Sequence, residues 1–166
     1  MRWVEVLKAA VVSGSVASVS SSVGLALLAR ANGLPPWQPV NATSHWLHGD
    51  GAARFEGADL AHTAVGYATH HAATLFWAVI FEAWLGRRRP SALGMLQDAM
   101  AMSALAAAVD YGATPHRFTP GWELVLRKRD MAAAYVAMGL GLAAGSLAVR
   151  GVPARGRRAG GRRLRA

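Results

Sequence analysis

The chain has 166 residues, 53% hydrophobic and 16% charged, with no cysteine and a net charge of +9. Without cysteine there can be no disulfide, thiolate zinc site or iron–sulfur cluster. Nor does the positive charge point to nucleic acid, because seven arginines and no acid fall in Arg150 to Ala166 alone, and a specific reader also needs a folded reading element.

The charge-free runs set the class. There are 21 residues without a formal charge between Lys8 and Arg30, 22 from Leu60 to Phe81 and 19 from Met131 to Val149. A helix that crosses a bilayer needs about 20 apolar residues. A fourth run, Ser91 to Tyr111, has the length but contains Asp98. The expected fold is an all-α, integral membrane, antiparallel four-helix bundle. Its helices span about 9–29, 60–85, 91–111 and 131–149, within a single domain of residues 1–150. Residues 151–166 form a basic tail, expected to be disordered, cytoplasmic and in contact with anionic lipid headgroups.

The first helix has the basic start of a signal peptide (Arg2, Lys8) and an Ala29-Arg30-Ala31 pattern. Signal cores run only about 7–15 residues, so a retained helix is expected. Gly14, Ser18 and Ser22 repeat every four residues, as do Ala17 and Ser21. Small residues at that spacing let membrane helices approach closely.

Arg30 to Asp59 is a long connection. Pro35-Pro36-Trp37-Gln38-Pro39 ends any helix. In the following NATSHWLHGDG, Asn41 is expected to cap a short helix and Gly49 to close it. On that helix His45 and His48 lie three apart and share a face. The second long helix ends in the basic turn Arg87-Arg88-Arg89-Pro90, and the third rises from Ser91. Gly112 to Arg129 is a second polar connection, with Thr119-Pro120 as a helix-start signal. In the fourth helix Ala133, Ala137, Gly141 and Gly145 make another small-residue stripe.

Lysine and arginine counts orient the bundle. With both termini inside, inner segments hold twelve (Arg2, Lys8, Arg87 to Arg89, the tail) and outer segments six (Arg30, Arg54, Arg117, Arg127, Lys128, Arg129). That bias predicts N-in and C-in. The same topology gathers His45, His48, Asp50, His62, Asp110 and His116 at the outer face. They are candidate ligands for a divalent metal (zinc, iron or manganese). A metal-activated water there would serve hydrolysis of a lipid or envelope substrate, with no residue singled out as catalytic.

A second site is expected at the midplane. At 100° per residue Thr63, Tyr67, His70 and Thr74 form one polar stripe, expected to face the bundle. His71 points about 100° away. His62 is about 12 Å along the axis from His70, too far to share an ion with it. Asp98 falls slightly towards the cytoplasmic side, and in the bland reading His71 pairs with it directly or through water. An ionisable group at membrane depth is a functional hypothesis in itself. Tyr67, His70, His71 and Asp98 support an alternative reading, a proton-coupled channel or transporter subunit that needs a homo-oligomer to enclose a pore. A b-type haem on His70 or His71, with Met102, Met138 or a second subunit as the other axial ligand, is a further alternative. The bland reading is that His70 bonds Ser, Thr or Tyr hydroxyls of neighbouring helices.

The strings NATSHWLHGD, HTAVGYATHHAATLFWAVIFE and VDYGATPHRFTPGWE resemble a group of small four-helix bacterial inner-membrane proteins of unknown function. That resemblance runs from about Val40 to Gly145. It implies an inner-membrane location and no particular chemistry. A looser similarity to membrane hydrolases that bind zinc through histidines and an aspartate carries no residue roles, because those proteins have more helices and different spacing.

Overall fold

In the computed structural model, which describes residues 2–88 and 90–151, the chain is helical throughout, with no strand among the described residues. The tail expected at 151–166 lies outside the described residues from position 152 onwards. Four helices are long: α1 (Trp3–Ala31), α4 (Val65–Arg88), α5 (Ala92–Gly112) and α6 (Lys128–Arg150). Two short ones, α2 (Gln38–Ala42) and α3 (His45–His48), stand in the first connection.

Three helices are long and apolar enough to cross a membrane: α1, α5 and α6. α4 has the length but not the hydropathy. Gly66, Thr69, His70, His71 and Thr74 dilute its first half. The most polar of these are turned inward, with His70 and Thr74 buried.

Small residues decide the packing. α1 lies along α6 with the chain directions opposed. Gly24 faces Ala137, Ala17 faces Gly141 and Ser13 faces Gly145. A Cβ at Gly141 or Gly145 would come within 2.5 Å of the facing Cα, so only glycine allows this approach. The α6 stripe therefore meets the face of α1 that carries Ala17, whereas Gly14 of the other α1 stripe belongs to a different contact. The other face of α1 takes α4, where Gly14 nestles against Leu75 and Ala78. α5 leans on α6, with Ser103 Oγ donating to the Tyr135 carbonyl at 2.5 Å. α4 meets α5 over a shorter stretch than it meets α1, which leaves a gap between α4 and α5 at the end carrying Asp110.

At the far end from the loops, two ion pairs close the helices. Arg88 reaches Asp98 across the α4–α5 turn at 2.9 Å. Arg150 donates twice to Glu82 Oε2, at 2.8 and 2.6 Å, and once to the Glu82 carbonyl.

Candidate functional site

Both long connections sit at the other end of the molecule, and the first is built around Asn41. Asn41 is fully buried. Its Nδ2 donates to the carbonyls of Phe55 and Gly57 at 2.8 and 2.7 Å, and its Oδ1 accepts from Thr63 Oγ1 at 2.6 Å. Asn41 therefore ties the returning chain to α2 and to the entry of α4, rather than capping α3, whose N-cap is Ser44. Gly49, at φ +73°, closes α3 and turns Asp50 back over it.

Asp59 starts α4 through a turn of π-helix, Leu60–Ala64. Its carboxylate accepts from the backbone N–H groups of His62 and Thr63, and its own N–H donates to Thr63 Oγ1. This reciprocal arrangement satisfies orphan donors at the helix start. The His62 side chain, then the His62 N–H, hold Asp59 below its ordinary value of 3.8. A carboxylate lowered in this way stabilises above its unfolded pKa and loses that contribution as pH falls through the folded value. Amide exchange at His62 and Thr63 should thus stay slow from neutral pH down to 3.8 and accelerate only below it. Acceleration already at pH 5 would refute the cap.

The second connection docks on the first. Gly121, at φ +77°, lies so close to the Ala42 carbonyl and the His45 ring that a side chain would overlap them. Trp122 is buried and donates its Nε1–H to Thr43 Oγ1 at 3.1 Å. Arg117 Nε donates to the Trp46 carbonyl at 3.0 Å. This docking carries His116 to His45, with ring centroids 5.6 Å apart.

The six expected outer ligands therefore divide. His45, Asp50 and His116 come together, with one ligand atom from each lying within 4.8 Å of the others. His48 does not join them. α3 is a single turn, and His48 faces α4 instead, its ring 4.8 Å from that of His62 and its Nε2–H directed at the Ala61 carbonyl. His62 is stacked between His48 and Phe55 and bonded to Asp59. Asp110 is also elsewhere, accepting from the Tyr135 hydroxyl at 2.6 Å.

The midplane group divides as well. His70 is buried and meets Ser21 Oγ at 2.8 Å. It shares a cavity of about 80 Å³ with Asp110, Tyr135 and Trp122. His71 stacks on Tyr67, which is 37% exposed, so Tyr67 looks outward rather than into the bundle. Asp98 is held by Arg88 near the α4–α5 turn and makes no pair with His71. His71 and Asp98 therefore lie in separate groups within one chain. The cavity beside His70 is smaller than a porphyrin, and His70 Nε2 is engaged by Ser21.

His45 is the centre of the outer group, and it is 2% exposed. Its Nε2 lies 3.0 Å from the Thr119 carbonyl, which can only accept. Nε2 therefore carries the hydrogen, and Nδ1 faces Asp50 Oδ1 at 3.2 Å. A bare lone pair against a carboxylate is repulsive. That contact calls for a hydrogen or a metal ion between the two atoms. A histidine that donates one N–H to a carbonyl and offers the other nitrogen is the usual outer-shell arrangement of a metal ligand.

No family model, curated protein or solved structure matches the chain.

Trp122, Thr119, Tyr135 and Ser21 complete these sites, and none stood out in the sequence as a site residue. Trp122 stands there simply as part of the second polar connection. Its signal is the Gly121-Trp122 pair itself, since a glycine that allows positive φ before a tryptophan marks a turn that buries the ring.

Proposed function

We propose that this chain is an integral protein of the bacterial inner membrane whose outer face binds a divalent metal through His45 Nδ1, Asp50 and His116. The bilayer holds an antiparallel four-helix bundle, α1, α4, α5 and α6, with both termini in the cytoplasm, as in the small inner-membrane proteins that the sequence resembles. Support for α4 as the fourth span comes from its charge-free run and from the burial of His70 and Thr74. The lysine and arginine bias supports the orientation.

The observation that carries the metal is the His45 tautomer, which the Thr119 carbonyl fixes so that the lone pair points at Asp50. Two imidazoles and one carboxylate suit zinc, iron or manganese, and three protein ligands leave a position for water. A bound metal would supply a water nucleophile near neutral pH, which is the basis for proposing hydrolysis of a lipid or envelope substrate. Asp50 and His116 are exposed, so that position opens outward.

The full chain, purified in detergent and dialysed against zinc or manganese, should retain one metal per chain by elemental analysis. His116→Ala and Asp50→Ala should each lose it while the helical circular dichroism is unchanged. Metal-free protein at neutral pH, with a thermal midpoint indifferent to chelator, would rule the site out.

A further inference from the structure

The cavity beside the His45 group has an unusual balance of hydrogen-bonding groups. Nearly every donor in its wall is already committed. Tyr135 O–H goes to Asp110, Thr74 O–H to the His70 carbonyl, Thr69 O–H to the Val65 carbonyl, and Trp122 N–H to Thr43. Acceptors are left over. Ser21 Oγ has carbonyl acceptors at Ala17 and Ser18, at 2.7 and 3.2 Å, for its own hydrogen. With that hydrogen on the Ala17 carbonyl, Ser21 Oγ accepts from His70 Nε2–H at 2.8 Å. That leaves His70 Nδ1 with the ring's lone pair and, among the described residues, with no hydrogen-bond partner. Asp110 is bonded through Oδ2 only, which leaves Oδ1 free among the described residues. The remaining walls are largely aromatic: Trp77, Trp122 and Phe118.

A carboxylate oxygen, an imidazole lone pair and aromatic faces complement an occupant that donates hydrogen bonds and carries positive charge. We propose that this cavity binds a small primary ammonium group, with Asp110 and His70 accepting from it and the tryptophan rings enclosing its carbon stem. A volume of about 80 Å³ limits the group to a few non-hydrogen atoms. The mouth lies beside Ala73 and Phe118, both exposed. Two sources share this chemistry: a free alkylamine, and the headgroup of an aminoalkyl phospholipid whose chains stay in the bilayer. The site does not depend on the metal, since none of its acceptors belongs to the His45 group.

The test is saturation-transfer NMR with ethylammonium as probe, on the full chain in phosphatidylcholine nanodiscs. A ligand this small should bind with a Kd of about 1 mM. Ethanol, isosteric but neutral, should not compete. Asp110→Asn should weaken binding about tenfold. Ala73→Leu, which fills the mouth from an exposed position without disturbing the Asp110–Tyr135 bond, should abolish it. Repeating the titration with phosphatidylethanolamine in the disc separates the sources. Competition identifies the headgroup, and an unchanged Kd identifies a free amine. No saturable ethylammonium binding to the wild type would overturn the proposal. So would binding that survives Ala73→Leu, which decides the matter even if Asp110→Asn does not fold.

Discussion

Gly66→Ala is expected to release the loop end of the molecule from α4, at a cost of about 3 kcal/mol. Gly66 is buried one turn into the helix region, where a Cβ would overlap the Val40 carbonyl oxygen and approach the Ser44 backbone nitrogen at 3.4 Å. Neither neighbour is the flexible end of a side chain. Val40 lies in α2, and Ser44 hydrogen-bonds back to Asn41. Relief therefore requires the whole α2–α3 segment to lift, and His45 is part of that segment. A lower thermal midpoint in detergent should result, and retention of the metal proposed at His45, Asp50 and His116 should fall with it, although residue 66 touches none of the three. Gly57→Ala is the control. Its Cβ would meet only the Phe55 ring at 3.5 Å, in ordinary contact, and the change should stay within about 0.5 kcal/mol. Equal midpoints for the two variants would refute the close approach of α4 to α2.

Arg150→Ala should cost about as much, at the opposite end. It strands Glu82, whose side chain is completely buried and whose Oε2 takes both guanidinium bonds. Removing one partner of such a pair leaves a charge with no compensation, at roughly 3 kcal/mol. Adding Glu82→Leu should return most of the loss, because an apolar side chain of similar volume needs no partner. A double-mutant cycle in chemical denaturation measures this coupling. If Arg150→Ala alone leaves the unfolding midpoint where it is, the pair contributes nothing.

The long helices were legible in the sequence because uncharged runs bounded by arginine, proline and glycine leave few places for them to end. The small-residue stripes were legible for the same local reason, and those of Ala17 and Gly141 mark the faces of α1 and α6 that meet. The sites were legible only as an end of the molecule. Which histidines meet depends on the path of two loops, and that path is set by long-range contacts. Asn41 bonds residues 14, 16 and 22 positions away. Gly121 presses on Ala42, and Trp122 reaches Thr43. On an ideal helix His45 and His48 share a face, but α3 is too short to impose one. Asp98 was expected towards the α4–α5 end, but its direct partner was missed, because Arg88, ten residues back, extends across the turn to it. The partner of His70 was anticipated by type, a hydroxyl from a neighbouring helix, and proves to be Ser21 on α1.

The α1–α6 contact also has a consequence for biogenesis. Ser13 and Gly145 touch, yet α6 is the last of the long helices to leave the ribosome. At the usual pace of synthesis, α1 spends about ten seconds without the helix that covers its stripe of glycine and serine. Ser13, Ser18 and Ser22 keep hydroxyls with no partner among the described residues even in the finished fold. During that interval the bare stripe is a ready contact for the α1 of a second nascent chain.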